Sequence, residues 1–408
     1  MALFSFSSSP KREATIVVDI GSGSVCAAVV VFDKRKYPHI LYSTREEIAH
    51  YEHPGFKRFF RAMLNALETA TTRLHRETFE KNSLQNIRAR DISHIHCVLA
   101  SPWYNATSKI LLYEKKLPFT VTESLIDTIV EQSLITQNTG DPSHQQSSGQ
   151  KTIEQKTVQI LLNGYETDKP YGQKVSRVEV ALFTSTVAQE VGSRIQSIVR
   201  KTWLNKKISF HSFALASFVV TRDLFPKTNN FILIDVTGEV TDIFFCKNSV
   251  LVETSSTPYG KNSLLRDIAG YMHTTHDEAL SELRQHGSHN ATKDASQKIN
   301  AALQLAGNTW TNYFETILSH ITELEAIPKV VYLMADPDVG EIFSSFVNGE
   351  STDKKTPGSL RYEVIYLTSH MLEEHVRFTT AKEHDFFIGM EAVFLNTLFS
   401  SHDSSYSE

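Results

Sequence analysis

Two segments of this chain share one plan, and together they constrain the fold more than any other feature. Residues 16–31 (IVVDIGSGSVCAAVVV) and 231–246 (FILIDVTGEVTDIFFC) each contain an apolar run that ends in an aspartate, a short turn with small residues, and a second apolar run. β-branched residues favour strands, and small residues favour tight turns. Each segment therefore predicts a β-hairpin with a carboxylate, Asp19 or Asp235, at its end.

Hairpins of this kind suit the binding of phosphate groups. Small turn residues let backbone N–H groups come close to an anion, and an aspartate beside the turn can hold a hydrated Mg²⁺. A single copy is weak support, because the same pattern occurs in ordinary antiparallel strands. Two copies in one chain predict a clamp that could hold a triphosphate from both sides.

The two hairpins resemble the phosphate-1 and phosphate-2 motifs of the superfamily of actin, heat-shock chaperones and sugar kinases. The FtsA and PilM branch is indicated by three further segments: TPYGKNSLLRDIA at 257–269, HDEALSELRQHG at 276–287, and Asn163-Gly164-Tyr165 ahead of VSRVEVALFTST. On these residues the chain is identified as an FtsA/PilM-like actin homologue from about residue 15 to about residue 396. The resemblance implies an α/β, actin-like ATPase fold of two duplicated RNase H-like halves, with a 1C insertion domain of strand-helix-strand-strand order.

The domain organisation follows from the resemblance and from apolar periodicity. The predicted division is a flexible tail at 1–13, domain 1A at 14–90 and 186–228 with a C-terminal helix at 384–398, domain 1C at 91–185, domain 2A at 229–262 and 300–383, and domain 2B at 263–299. Helices are predicted at 56–79, 121–135, 186–202, 214–225 and 295–325, and strands at 92–100, 109–113, 157–163, 175–185, 207–213, 330–335 and 362–367. The segment 137–150 (QNTGDPSHQQSSGQ) predicts a flexible loop, because it has no apolar anchor.

The family motifs also imply which residues contact a nucleotide. The implied nucleotide-binding residues are Asp19, Gly21, Ser22, Gly23, Ser24, Asp235, Thr237, Gly238, Glu239, Gly260, Lys261, Ala335 and Asp336. Asp19 and Asp235 are the implied ligands of Mg²⁺. No catalytic residue is assigned.

Both phosphate motifs depart from the family pattern. In the second hairpin, Thr237 and Glu239 stand where relatives have glycine, and an ionised glutamate beside a triphosphate would repel it by up to a few kcal/mol. In the first hairpin, Ser24 and Cys26 stand where FtsA, PilM and actin place a lysine. A cationic contact to phosphate is therefore missing from the predicted site.

The adenosine motif and the turn after phosphate-2 depart from the family pattern too. Ala335-Asp336-Pro337 occupies the usual glycine positions, and Pro337 removes an N–H and fixes φ. Lys261 stands where the family often has glycine. These departures predict that binding of ATP and Mg²⁺ is weak or absent.

Composition agrees with this interpretation and excludes other classes. The chain has 408 residues, 41% of them hydrophobic, and a net charge of −5, which suits a multidomain protein and argues against a nucleic-acid surface. The three cysteines, Cys26, Cys97 and Cys246, lie in apolar runs and predict reduced thiols in a cytosolic protein. His94 and His96 have a spacing that could suit a metal, but no third ligand is fixed, so ordinary histidines are predicted.

Neither terminus predicts a membrane span. No stretch approaches the ~20 apolar residues of a transmembrane helix. Residues 1–6 (MALFSF) are expected to be a tail, with shallow insertion at a membrane surface as the alternative. Residues 400–408 (SSHDSSYSE) lack the amphipathic helix by which FtsA proteins hold the membrane.

The resemblance implies a cytoplasmic scaffold, peripheral to the inner face of a bacterial membrane, that binds a partner through domain 1C and an interdomain groove. The implied partner is the tubulin-like protein FtsZ in an FtsA-like protein, or the cytoplasmic tail of a pilus inner-membrane protein in a PilM-like one. DIGSGSV is closer to PilM, whereas the long segment before 1C is closer to FtsA, so both roles stay open. Assembly into a homo-oligomer or filament is also implied.

Two rival functions belong to a different class. A slow conformational ATPase, or a small-molecule kinase, would use Asp19 and Asp235 for Mg²⁺. Glu239 or Asp242 would then act near the γ-phosphate.

Overall fold

The computed structural model describes residues 13–32, 37–51, 55–81, 84, 87–139, 149–167, 169–288, 292–322, 327–348, 361–379 and 384–402. The predicted tail at 1–13, apart from its last residue, lies outside the described residues. The same is true of the central part of the loop predicted at 137–150 and of the polar C-terminus.

The strands are β1 (Glu13–Ile20), β2 (Ser24–Phe32), β3 (His39–Glu47), β4 (Ile92–Leu99), β5 (Asn105–Thr120), β6 (Gln150–Leu162), β7 (Tyr165–Glu166), β8 (Lys174–Ala188), β9 (Lys207–Ser212), β10 (Phe231–Val236), β11 (Thr241–Lys247), β12 (Val250–Thr257), β13 (Val330–Ala335), β14 (Glu363–Tyr366) and β15 (Arg377–Phe378). The helices are α1 (Phe56–His75), α2 (Glu123–Thr139), α3 (Gln189–Thr202), α4 (Phe213–Leu224), α5 (Lys261–Met272), α6 (His276–Gly287), α7 (Lys293–Thr322), α8 (Gly340–Val347) and α9 (Phe386–His402).

The chain divides into two compact units. The first comprises Met1–Ala100, Ser193–Leu224 and Leu367–Glu408, and the second comprises Ser101–Gly192 and Phe225–Tyr366. The sheet of the first unit has the order β15-β3-β2-β1-β4-β9, in which β1, β2 and β3 are antiparallel and β4 and β9 follow in parallel.

The second unit repeats this plan. Its sheet has the order β12-β11-β10-β13-β14, again with three antiparallel strands followed by two parallel ones. Both predicted hairpins are therefore present, as β1–β2 and β10–β11, each at the centre of a sheet. Because a central strand is covered on both faces, it needs apolar residues on both, which explains the unbroken apolar runs of the sequence.

A third sheet, β5-β8-β6-β7, is antiparallel throughout and belongs to the second unit. Helix α2 covers one of its faces, and the apolar side chains between them include Val121, Ile126 and Val180. The order strand, helix, strand, strand predicted for the insertion corresponds to β5, α2, β6 and β8.

The helices pack where apolar periodicity predicts. Trp310 of α7 is fully buried and stacks on Phe314 with ring centroids 5.2 Å apart. In the first unit, α9 packs against α4 and β1, and Phe399 lies 4.7 Å from Phe32 between ring centroids. The last helix thus lies against β1 and α4 within the first unit. Within the residues described here, none of the helices has the length and apolar character that crossing a bilayer requires.

Two predicted boundaries fall elsewhere in the structure. The strand predicted to open the insertion at residue 91 is β4, which pairs in parallel with β1 in the first sheet, so the insertion sheet starts at Asn105. Residues 367–383 were predicted in domain 2A, but β15 pairs with β3 in the first sheet. The strand at 92–100 was predicted correctly, but the pattern does not reveal its neighbour, and the short strand β15 was not predicted at all.

Candidate functional site

The first hairpin ends in a tight turn whose shape depends on backbone hydrogen bonds. Gly21 N–H donates to Ser24 O at 3.1 Å, and Ile48 N–H donates to Gly23 O at 2.9 Å. Ser22 is fully buried. The Asp19 carboxylate lies at the end of β1 and is also buried. All five residues predicted for this motif therefore lie at one end of the hairpin.

A basic side chain that sequence analysis did not identify occupies this turn. Arg45 of β3 donates from Nη2 to Asp19 Oδ2 at 2.9 Å and from Nη1 to Ser24 Oγ at 2.6 Å. It also donates from Nε and Nη2 to the two carboxylate oxygens of Asp385 at 2.7 and 2.9 Å. Arg45 lies directly opposite Cys26 in the sheet register. A neighbouring strand thus supplies positive charge beside the positions where the family lysine is absent.

The electrostatics of this cluster follow from burial and pairing. Burial opposes the charge on Arg45, but Asp385 and Asp19 outweigh it and raise the pKa of the guanidinium. Burial likewise opposes ionisation of Asp385, and the charge and hydrogen bonds of Arg45 hold the pKa of that carboxyl below its usual value. Burial raises the pKa of the Cys26 thiol well above its usual value. Arg45 and Asp385 are therefore a charged pair, and Cys26 is a neutral thiol.

The second hairpin turn is closed on itself and packed against α5. Thr237 donates from both its N–H and its Oγ1 to Val240 O, at 2.9 and 2.8 Å. The first N–H groups of α5, those of Lys261 and Asn262, donate to Thr237 O and Gly238 O at 2.9 and 2.7 Å. A Cβ at Gly260 would lie within 3 Å of both carbonyl oxygens. Only glycine allows this contact between turn and helix.

The sequence suggested that Glu239 places an uncompensated negative charge in this turn. In the structure this charge is paired. Arg266 of α5 donates to its two carboxylate oxygens at 2.7 and 3.1 Å, and Asn262 Nδ2 donates to Oε1 at 2.9 Å. The ion pair compensates the negative charge. The predicted repulsion of a phosphate is therefore reduced, while the arginine that could have contacted a phosphate is engaged with Glu239.

An ion pair connects Lys261, in the turn after the second hairpin, with Asp336, at the position of the adenosine motif. Lys261 Nζ lies 2.9 Å from Asp336 Oδ2 and 3.4 Å from Asp338 Oδ2, and Arg284 pairs with Asp338 at 2.8 Å. Burial lowers the pKa of Lys261, but the two aspartates raise it further than burial lowers it. The hydrogen bond from Arg284 is the main reason that the pKa of Asp338 falls below its usual value. Two predicted contacts, Lys261 and Asp336, thus bind each other.

The buried end of the second hairpin holds two carboxylates. Asp235 and Asp242 lie directly opposite each other on β10 and β11, and both are almost fully buried. Ser256 donates to Asp242 Oδ1 at 2.5 Å. Burial raises the pKa of Asp242 to about 6, although hydrogen bonds from Ser256 and Ser101 oppose the rise. The Asp242 carboxyl is therefore harder to ionise than an exposed aspartate.

The predicted residues cluster separately in the two units. Those of the first are Asp19, Gly21, Ser22, Gly23 and Ser24, and those of the second are Asp235, Thr237, Gly238, Glu239, Gly260, Lys261, Ala335 and Asp336. Ala335 O accepts a hydrogen bond from Tyr366 Oη at 3.1 Å. Sequence analysis missed the basic partners Arg45, Arg266 and Arg284, because nothing in the local pattern connects them with the turns.

Histidines form a compact group away from the turns. His94 and His96 stack with ring centroids 4.1 Å apart, and His96 Nδ1 lies 3.1 Å from His211 Nε2. Burial, with the nearby His211, lowers the pKa of His96 to about 2. In the part of the chain that the structure describes, no set of three or more His, Cys, Asp or Glu residues is arranged to hold a metal ion.

Comparison with known proteins establishes the fold. No protein-family model matches the sequence, and no significant match was found among curated proteins. A solved chain of the PilM–PilN type IV pilus biogenesis complex is similar at a TM-score of 0.59 and 12% identity, over 94% of this chain and 96% of that one. The structure therefore has the actin-like ATPase fold that the sequence predicted, with PilM–PilN among its structural neighbours.

Two other solved structures are similar at lower scores. The ethanolamine utilization protein EutJ from Carboxydothermus hydrogenoformans matches with a TM-score of 0.41 and 10% identity, over 95% of this chain and 91% of that one. A Bacteroides thetaiotaomicron protein with an actin-like ATPase fold and unknown function matches with a TM-score of 0.40 and 8% identity, over 97% and 99%.

Proposed function

We propose that this protein is a PilM-like cytoplasmic scaffold that binds a partner peptide at the inner face of a bacterial membrane. The observation that carries the proposal is the likeness to a chain of a pilus biogenesis complex over nearly the whole length of both chains. The partner we favour is the cytoplasmic tail of a pilus inner-membrane protein. We place it ahead of an FtsZ-like partner because the similar complex is a pilus complex.

The proposal includes a degenerate nucleotide site. Its support is that charged side chains at the predicted positions are paired within the protein: Asp19 with Arg45, Glu239 with Arg266, and Lys261 with Asp336. A nucleotide would have to break these pairs before it could use the same groups. Binding of Mg²⁺-ATP is therefore weak or absent in this proposal.

We assign the partner to the outer edge of β5. Among the described strands, β5 is at one end of its sheet. Thr254 of β12 donates to Ala106 O at 3.1 Å near the start of β5, and none of the described strands pairs with the outer side of β5 around Ile110 and Leu112. Ile110 and Leu112 project from the same face of β5 and are 58% and 56% exposed. An extended peptide can add to such an edge through main-chain hydrogen bonds, with its alternate side chains on the apolar pair.

The charge of β5 favours an acidic peptide over a second copy of this chain. The strand carries Lys109, Lys115 and Lys116 against one acidic residue, Glu114. If two copies of β5 paired antiparallel about Leu112, Lys109 of each would lie opposite Lys115 of the other. Like charges in directly opposed positions destabilise a sheet. A tail with acidic residues among alternating apolar ones fits this edge.

The test is calorimetric titration of the full chain with synthetic cytoplasmic tails of the pilus inner-membrane proteins of the same genome. We expect one tail to bind, and the double variant Ile110→Lys, Leu112→Lys to weaken that binding at least tenfold. Leu204→Lys is the matched control, since Leu204 is also an exposed leucine but lies in the first unit. Binding that the double variant leaves unchanged would reject the β5 edge, and failure of every tail to bind would reject the pilus partner.

A slow conformational ATPase is the second candidate, favoured by the actin-like ATPase fold and by the buried carboxylates of Asp19 and Asp235. Thermal unfolding with millimolar Mg²⁺-ATP separates the two functions. Ligand at a hundred times its Kd adds about 2.7 kcal/mol of stability. A rise in Tm that the Asp19→Ala, Asp235→Ala variant loses would favour the ATPase.

We also propose that the protein assembles head to tail. Light scattering that shows a monomer at high concentration would reject this part of the proposal.

A further inference from the structure

The family resemblance implies Mg²⁺ at Asp19, and the residues around this carboxylate do not fit that role. We propose instead that Arg45 is a built-in cation that takes the place of the divalent ion, so that the first hairpin turn binds no metal. The proposal deepens the degenerate nucleotide site proposed above. It does not depend on the identity of the partner peptide.

The first step of the argument is the set of oxygen atoms around the guanidinium. Asp19 Oδ2, both carboxylate oxygens of Asp385 and Ser24 Oγ lie between 2.6 and 2.9 Å from nitrogen atoms of Arg45. Two carboxylates and a hydroxyl are the hard oxygen ligands that Mg²⁺ and Mn²⁺ prefer. The arginine thus fills a position that would otherwise suit a divalent cation.

The second step is charge. A guanidinium stays protonated in proteins, so Arg45 cannot lose its charge to admit a metal ion. It offers five N–H donors, and the four hydrogen bonds to Asp19, Asp385 and Ser24 use most of them. A metal ion at Asp19 would either face this fixed positive charge or displace a side chain held by two carboxylates. The same pairing leaves little capacity for Arg45 to bind a phosphate.

The third step is what the cluster holds together. Asp385 lies just before α9, and its Oδ1 accepts a hydrogen bond from Ile388 N–H at 3.2 Å. Arg45 therefore connects Asp19, at the end of β1, with Asp385, which lies just before α9 and 340 positions after Arg45 in the sequence. The Arg45 side chain is 29% exposed, so solvent reaches part of this cluster. In this chain the ion pairs of Arg45 hold the start of α9 against the first hairpin.

The test is titration with Mn²⁺ alone, with free Mn²⁺ followed by electron paramagnetic resonance. The wild-type chain and Asp19→Asn are expected to bind Mn²⁺ equally weakly. Arg45→Gln removes the charge and is expected to bind Mn²⁺ at least tenfold more tightly, a gain that Arg45→Gln, Asp19→Asn loses. Arg45→Lys is the matched control, because it keeps the positive charge and should gain nothing.

Two results would overturn the proposal. One is Mn²⁺ binding to the wild-type chain that Asp19→Asn weakens tenfold or more. The other is a folded Arg45→Gln variant, checked by circular dichroism, whose Mn²⁺ affinity is unchanged. If Arg45→Gln does not fold, Arg45→Met, which also removes the charge, replaces it in the same comparison, and the pair of wild type and Asp19→Asn still tests whether the turn binds metal.

Discussion

Replacing Asp242 by asparagine should stabilise this protein at neutral pH. The carboxyl is almost fully buried, and burial raises its pKa from 3.8 to about 6. At 1.36 kcal/mol per pKa unit, this difference means that the ionised form costs about 3 kcal/mol of folding free energy. Asparagine is similar in shape and keeps one oxygen that can accept the hydrogen bond from Ser256, although its NH2 group cannot accept a hydrogen bond from Ser101. Because a neutral acceptor is weaker than a charged one, the expected net gain is about 1–3 kcal/mol.

The raised pKa of Asp242 also determines how the stability difference between the two proteins changes with pH. Between pH 3.8 and 6 the folded Asp242 carboxyl binds more protons than the unfolded one, so wild-type stability falls as the pH rises through this window. The advantage of asparagine is therefore largest above pH 6 and disappears below about pH 4. Urea unfolding at several pH values measures this difference. Trp310 is a suitable fluorescent reporter, since its Nε1 donates to Thr241 Oγ1 beside Asp242.

The matched control is Asp127→Asn, at an exposed aspartate of α2 in the same unit. This control should change stability by less than about 0.5 kcal/mol. The reasoning is refuted if Asp242→Asn is less stable than wild type at pH 7.5 and the difference does not vary with pH. In that case the charged hydrogen bonds to Asp242 would outweigh the cost of its burial.

Three further predictions concern stability. Because the folded pKa of His96 is about 2, the free energy of unfolding should fall by about 1.4 kcal/mol for each pH unit below 6.5. His96→Gln should remove this dependence and His370→Gln, at an exposed histidine, should not; urea unfolding at pH 7.5 and pH 5 measures both. Gly260→Ala should lower the free energy of unfolding by about 2 kcal/mol or more, measured by calorimetry, because its Cβ would clash with backbone oxygens. Gly270→Ala, where a Cβ has open space within α5, should instead raise it by about 0.5–1 kcal/mol. Trp310→Phe should cost about 1–3 kcal/mol in urea unfolding, because the indole is fully buried and hydrogen-bonded; a loss below 0.5 kcal/mol would contradict tight packing there.

Strands that are apolar on both faces were the easiest to predict from the sequence, whereas β3, whose exposed positions carry charged residues, was missed. β1, β2, β10 and β11 are buried along nearly their whole length, so their composition alone reveals them. β3, by contrast, reads HILYSTREE and has mostly half-buried positions, and its charged residues conceal the strand. Arg45 belongs to this strand. Because β3 was not predicted, the position of Arg45 beside the turn could not be predicted either.

The charged pairs at the turns show a second limit of the sequence. Glu239 was expected to repel phosphate because no cation stands near it in the chain, yet Arg266 reaches it from the next helix. Lys261 and Asp336 were each predicted at the site, but their pairing joins residues 75 positions apart. Motifs indicate which turns matter. The net charge of a turn depends on neighbours that only the register and helix packing bring in.

The interleaving of the two units along the chain has a consequence for synthesis on the ribosome. The second unit takes its residues from two segments that end at Tyr366, so its sheets can close before the last part of the chain is made. The first unit needs α9, whose residues 386–402 follow the second unit along the chain, and it needs Asp385 to pair with Arg45. Because domains fold as units from the N-terminus during synthesis, the β1–β2 hairpin must wait for α9 until the whole second unit has been made. Until then β1 and β2 lack the contacts that α9 makes with them, and we expect the nascent chain to need a chaperone most in this interval.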